Sequence, residues 1–172
     1  MNKKTLFVVA AGSGGHILPA LTHANKWLKQ NADGTIIFFT GTSALERKIV
    51  KTKQFIAQAK HLHLSKFSLR RWWILPLILV QLIIIFIMGF GYALWYRPTA
   101  IVSTGGLLSV PFCFAARLTR RSVEIYELNV TPGKAVKLLL PVASVIHTVF
   151  PETKMVFLSA EKCNALSSSC CS

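Results

Sequence analysis

Residues 72–95, WWILPLILVQLIIIFIMGFGYALW, run for 24 positions without a charged side chain. As one helix they would extend about 36 Å, long enough to cross the hydrocarbon of a bilayer. A helix so uniformly apolar has to be covered by other protein or by lipid, since exposed apolar area forgoes roughly 25 cal/mol per Å². A buried core helix normally keeps some polar face, and this one has almost none, so a membrane-associated helix over 72–96 is expected. Trp72, Trp73, Trp95 and Tyr96 stand at its two ends, where interfacial aromatics collect. Arg47, Lys48, Lys51, Lys53, Lys60, Lys66, Arg70 and Arg71 precede it, and Arg97, Arg117, Arg120 and Arg121 follow it. Basic side chains at both ends give no asymmetry that would orient a span, which favours a tilted, monotopic or packed helix.

The rest of the chain is basic too: 20 Lys and Arg stand against 6 Asp and Glu, a formal net charge of +14. Such an excess implies an anionic partner: nucleic acid, acidic lipid headgroups or a phosphorylated substrate. No zinc-finger spacing is present, and the basic residues flank an apolar block rather than interleave with aromatics, so nucleic acid is disfavoured. Cys113, Cys163, Cys170 and Cys171 form no C-x-x-C pair, which argues against a metal site or disulfide framework and for a reducing compartment. The apolar run 6–11 behind Lys3 and Lys4 is too short for a signal-peptide core and suits a first strand. At 172 residues, one domain is expected.

That strand feeds Gly12-Ser13-Gly14-Gly15, and a helix pattern follows through Ala20, Leu21, Ala24 and Leu28. Glycines let several backbone N–H groups converge, and the helix N-terminus adds positive potential, so the turn suits a phosphate. His16 sits at its mouth as a candidate proton acceptor. The dinucleotide fingerprint fails because Ile17 stands where its third glycine belongs, and no P-loop lysine follows before Lys26. A tight strand-to-helix turn with an incidental histidine is the plain alternative.

Further along, the pattern predicts a helix over 17–31, a strand over 35–40, a helix after the cap at 41–43, and one or two short strands within 55–65. Beyond the apolar helix come a strand over 99–103, a second glycine turn at Thr104-Gly105-Gly106, a helix over 109–118 and a strand over 122–127. A loop over 128–133, a helix over 134–140 and a closing strand over 143–149 complete the order. Strands alternating with helices argue for a parallel sheet covered on both faces. The two glycine turns and the Glu127/Asn129 loop all follow strands, so they would gather at the carboxyl edge, where open α/β sheets bind ligands.

With those loops placed, the chain resembles glycosyltransferase family 28. AGSGGHILPAL (11–21) is similar to the family's first glycine loop, STGGLLSVP (103–111) to its second, and YELNVTPGKAVKLL (126–139) to its His-Glu-Gln-Asn loop and following helix. VFPET (149–153) resembles the end of that domain. Ser13 stands for a threonine, and Tyr126 and Leu128 for the His and Gln. The resemblance implies a Rossmann-like parallel sheet with helices on both faces, the N-terminal half of a GT-B fold, over residues 1–153. Residues 154–172 would be an irregular tail, with the C-terminal donor domain absent and the isolated chain inactive.

The resemblance also implies the chemistry: transfer of N-acetylglucosamine from UDP-N-acetylglucosamine to an undecaprenyl-diphosphate-linked acceptor, lipid I, in peptidoglycan synthesis. No metal or other cofactor is implied. His16 would act as general base, with Glu127 orienting acceptor or base or only satisfying its own loop. Gly12, Ser13, Gly14, Gly15, Thr104, Gly105, Gly106 and Asn129 would bind the acceptor. Partners would be the lipid-linked acceptor, UDP-N-acetylglucosamine together with a missing domain or partner chain, and anionic membrane lipids, at the cytoplasmic face of the cytoplasmic membrane. Two rivals are a diacylglycerol glycosyltransferase and a non-catalytic subunit that anchors a two-chain transferase.

Overall fold

The computed structural model describes residues 4–11, 14–51, 55–64, 73–150 and 152–153. Six strands, all parallel, form one sheet: β1 (Thr5–Val9), β2 (Thr35–Thr40), β3 (Gln58–His61), β4 (Ala100–Ser103), β5 (Ser122–Glu127) and β6 (Val145–Thr148). Their spatial order is β3-β2-β1-β4-β5-β6. The order reverses between β1 and β4, which pair from Leu6 with Ala100 to Val9 with Ser103. That switch point is where the two glycine loops leave the sheet.

Helices α1 (Gly14–Gln30) and α2 (Ala44–Lys51) cover one face, and α3 (Leu75–Tyr96), α4 (Ser109–Leu118) and α5 (Lys134–Leu139) the other. The strand period of two sorts the core accordingly. Leu6, Val8, Ile36, Phe38 and Val102 meet Ile17, Ala20, Leu21 and Ala24 of α1. Phe7, Phe39 and Phe112 cluster on the opposite face, with ring centroids 4.4–6.1 Å apart, and Tyr92 of α3 lies 5.4 Å from Phe39. β1 is central, has both faces covered, and is buried along its whole length. Ser43 and Glu46 start α2 with a reciprocal cap: Glu46 N–H donates to Ser43 Oγ (3.3 Å) and Ser43 N–H to Glu46 Oε2 (3.0 Å).

The expected parallel architecture is present, with some element bounds shifted: the closing strand, expected over 143–149, is Val145–Thr148. α1 begins at Gly14 rather than residue 17, so Gly14, Gly15 and His16 form its first turn. Within 55–65, where one or two short strands are expected, the described residues form β3. The apolar helix runs from Leu75 to Tyr96; Trp72 and the basic residues Lys53, Lys66, Arg70 and Arg71 lie outside the described residues, as does the tail over 154–172.

α3 packs on the domain through Ile78, Ile85, Gly89 and Ala93, one stripe of the helix. Gly89 lets the helix approach α4 closely: a Cβ there would stand 3.0 Å from the Phe112 ring. The outer half carries Leu79, Val80, Ile83, Ile84, Ile87, Leu94 and Trp95, exposed from 50% to 84%. Among the described residues this is the one helix long and apolar enough to cross a membrane, yet its two ends join β3 and β4 of one sheet.

Candidate functional site

The two glycine loops leave adjacent strands and touch. Thr104 N–H donates to the carbonyl of Val9 at 3.4 Å. Gly106 lies so close that a Cβ would stand 3.0 Å from the carbonyl oxygen of Ala11. Gly105 and Gly106 take φ values of 91° and 95°, which L side chains rarely adopt. Ser103 Oγ accepts the Gly105 N–H (3.1 Å), and Ser109 Oγ donates to the Gly106 carbonyl (2.7 Å), so the turn is tied at both ends. Neither serine announced itself as more than a strand end and a helix start in the sequence.

His16 bridges the loops. Its Nδ1 lies 2.8 Å from the carbonyl oxygen of Thr104, 88 residues further along the chain. A carbonyl can only accept, so Nδ1 carries the proton and, in the neutral ring, Nε2 carries the lone pair. The side chain is partly exposed, in the first turn of a 17-residue helix that has no acidic residue in that turn. The first loop therefore presents a helix N-terminus beside an oriented imidazole, an arrangement able to hold an anion and accept a proton. Gly12 and Ser13 lie outside the described residues. Thr104 is buried, and its hydroxyl has no hydrogen-bond partner among the described residues.

Glu127 is brought to the same edge by β5 but faces inward, at 2% exposure. Its Oε1 accepts from the backbone N–H of Asn129 (2.9 Å) and from the Asn129 side-chain amide (2.9 Å), and its Oε2 accepts the Gly133 N–H (3.0 Å). All three partners belong to its own loop, so the carboxylate shapes residues 127–133 and Asn129 is held by it. Asn129 itself is exposed. Thr153, which sequence reasoning left without a role, closes the loop from below: its hydroxyl lies 2.9 Å from the Asn129 carbonyl and 3.0 Å from that of Val130.

Tyr126 points away from these loops, on the α1 side of the sheet. It stacks on His147 (centroids 4.3 Å apart, planes at 20°) and lies 4.6 Å from His23. Burial and the nearby Glu124 charge push its phenol up to about 12. Burial lowers the His23 imidazole from its ordinary value; Glu124 opposes that shift, and His147 and Lys26 add to it. Among the described residues no group of three or more His, Cys, Asp or Glu could hold a metal ion.

A family model described as the glycosyltransferase family 28 N-terminal domain matches residues 6–148. The chain is 32% identical over 158 residues to the UDP-N-acetylglucosamine–N-acetylmuramyl-(pentapeptide) pyrophosphoryl-undecaprenol N-acetylglucosamine transferase of Borrelia hermsii, covering 90% of this chain and 42% of that protein. The protein of the same name from Caldicellulosiruptor saccharolyticus is also 32% identical, with 94% and 44% covered. The chain thus spans about two fifths of the length of the curated relatives it matches. Among solved structures, MurG of Acinetobacter baumannii superposes with a TM-score of 0.72 at 22% identity, covering 87% of this chain and 42% of that one. A putative UDP-N-acetylglucosamine 2-epimerase from Listeria monocytogenes gives 0.64 at 11% identity, with 94% and 43% covered.

Proposed function

The chain belongs to glycosyltransferase family 28, whose N-terminal domain it carries, and on that premise we propose that it is the acceptor-binding half of an N-acetylglucosaminyltransferase of peptidoglycan synthesis. The donor is UDP-N-acetylglucosamine and the acceptor a sugar on undecaprenyl diphosphate, lipid I. The acceptor diphosphate lies against the first turn of α1 and the Gly105–Gly106 turn, with Gly12, Ser13, Gly14, Gly15, Thr104 and Asn129 contributing contacts. His16 Nε2 removes the proton of the acceptor hydroxyl as that oxygen bonds to the anomeric carbon. The bond from that carbon to the diphosphate breaks, and UDP leaves with its electrons. Glu127 is a positioning residue, acting through the loop that carries Asn129. The observation that carries the reading is the His16–Thr104 hydrogen bond, because it joins both loops and leaves Nε2 free to accept a proton.

The outer half of α3 lies in the surface of the cytoplasmic membrane, on its cytoplasmic face, keeping the domain beside a lipid-linked acceptor. A span is disfavoured by the pairing of β1 with β4: crossing between them would part neighbouring strands of one sheet. The second reading, a non-catalytic anchoring subunit, rests on that same outer face of α3.

The test assays residues 1–172 for binding of lipid I, and for transfer alone and with a separately supplied family-28 C-terminal half. Acceptor binding by this chain, with transfer only when the second half is present, is the expected result. Turnover by the chain alone would end the half-enzyme reading. Transfer unaffected by His16→Ala would favour the anchoring subunit.

A further inference from the structure

The carboxyl edge of the sheet continues past the glycine loops. β1, β2 and β3 leave it side by side: Ala10 N–H donates to the Phe39 carbonyl (3.0 Å), and Leu62 N–H to the Thr40 carbonyl (2.8 Å). Two histidines stand at the end of the outer strand, and both are tied to the loop after β2. His61 Nδ1 lies 3.2 Å from the Gly41 carbonyl oxygen, and His63 Nδ1 lies 3.5 Å from Thr42 Oγ1. Neither Nε2 has a hydrogen-bond partner among the described residues. His61 is thus held in the same way as His16, with one ring nitrogen on the carbonyl of a neighbouring loop and the other left over.

The two flanks of the glycine loops differ in charge. Towards β5 and β6 the edge carries the Glu127 carboxylate, the exposed Glu152 and the exposed apolar side chains Val130, Val149 and Phe150. Towards β2 and β3 the one carboxylate among the described residues is Glu46, which is 4% exposed and accepts the Ser43 N–H. An anionic group on a bound acceptor is therefore repelled on one flank and met by two imidazoles on the other. A carboxylate beside an imidazole favours its charged form. In that form each Nδ1–H keeps its loop contact, on the Gly41 carbonyl or the Thr42 hydroxyl, and each Nε2–H is left to donate.

The relatives of this chain are named for an acceptor that carries a pentapeptide. A peptide joined through its amino end finishes in a carboxylate. Neighbouring strands stand about 4.8 Å apart, which puts β3 roughly 10 Å from β1 and roughly 15 Å from β4. Five extended residues span about 17 Å. A peptide on an acceptor whose diphosphate lies at the glycine loops can reach either flank, and charge favours the β3 side.

We propose that His61 and His63 bind the terminal carboxylate of the acceptor's peptide, as a specificity subsite beside the glycine loops. The inference rests on the acceptor-binding reading above and adds to it the direction in which the peptide runs.

The experiment titrates the full chain by calorimetry with three water-soluble, short-prenyl diphospho-N-acetylmuramoyl acceptors. One carries the pentapeptide, one the pentapeptide as its terminal carboxamide, and one no peptide. The free acid should bind at least about fivefold more tightly than the other two, a ratio of ~1 kcal/mol. His63→Ala, at an exposed position, should bring the free acid to the level of the amide and leave the amide where it was. His61→Gln keeps an N–H for the Gly41 carbonyl and should reduce the preference in part. Lys29→Gln removes a full charge from the last turn of α1 and should leave the preference intact, which separates a subsite from the general pull of a basic chain.

Equal affinity for acid and amide, a preference untouched by both histidine variants, or a preference equally lost in Lys29→Gln would overturn the subsite and leave the acceptor reading standing. Binding of none of the three acceptors would end the acceptor reading and the subsite with it.

Discussion

The two long helices of this domain, α1 and α3, cover opposite faces of one sheet and solve the inner half of the problem alike. α1 buries Ile17, Ala20, Leu21 and Ala24, and α3 buries Ile78, Ile85, Gly89 and Ala93, each a single stripe at helical spacing. Their outer halves differ completely. α1 turns Thr22, Asn25, Lys26, Lys29 and Gln30 outward, with Leu18 its one large exposed apolar side chain. α3 turns out leucine, isoleucine, valine, phenylalanine and tryptophan along its whole length. The inner stripe of a helix reports the sheet beneath it, and the outer half reports the surroundings. One face of this domain ends in polar side chains exposed to water; the other ends in exposed apolar ones.

The sharpest way to break that division is at the start of α1. His16→Ala, assayed with a donor half supplied, should lower turnover about 10²–10⁴-fold while acceptor affinity changes little, the range typical of general-base assistance. A loss under about tenfold would reduce His16 to a strut between the two glycine loops, and no loss at all would favour the anchoring-subunit reading. The next largest effect belongs to α3. Ile83, Ile87 and Leu94 are 51%, 62% and 52% exposed along the middle of its outer half. Changing all three to glutamine should weaken binding to neutral vesicles about 100-fold, at roughly 1 kcal/mol for each half-exposed side chain. The urea midpoint should hardly move. Unchanged vesicle binding would mean that the apolar face meets something other than lipid.

Much of this contrast was legible in the sequence, for reasons that differ by element. β2 and β5 have the expected limits because short β-rich runs are bounded by turn residues on both sides. α4 was equally clear, between a glycine turn and Thr119. The start of α1 was misjudged by three residues, because glycines at 14 and 15 read as turn although they form the first helical turn in front of His16. The 55–65 region lacks a clean period, and Gln58–His61 of it pairs in register with β2. Glu127 shows the limit for the site. A carboxylate after a strand looks the same in sequence whether it faces substrate or its own loop, and only the three N–H donors around it decide.

Those donors supply the third prediction. Glu127→Gln replaces a charged acceptor by an amide whose NH2 group must face a backbone N–H, leaving a donor unsatisfied at a buried position. A loss of about 1–3 kcal/mol in unfolding free energy is expected from chemical denaturation. Turnover should fall less than for His16→Ala and should recover in part at saturating acceptor, because the change loosens the Asn129 loop without removing a proton acceptor. A kcat loss equal to that of His16→Ala, with no loss of stability, would return Glu127 to the chemistry.

The smallest effect uses pH to separate the two helices. His23, on the flank of α1 against Tyr126 of β5, has its pKa depressed from the ordinary 6.5 mainly by burial, against the pull of Glu124 and with help from His147 and Lys26. The unfolded chain therefore takes up a proton near pH 6.5 that the folded chain resists. The unfolded state binds more protons in that interval, so the contribution of this group is fully present above pH 6.5 and is lost as pH falls through the lower folded value. For one proton the slope is at most about 1.4 kcal/mol per pH unit. Urea unfolding at pH 7.5, 6.5 and 5.5 should show the stability advantage of the native chain over His23→Gln shrinking as the pH falls, and an advantage that widened instead would reverse the assignment. α3 holds no titratable side chain except Tyr92 and Tyr96, so its binding to neutral vesicles should stay level over the same range. Parallel pH dependence in both measurements would mean that α1 and α3 report one transition, and the two faces could no longer be treated as independent.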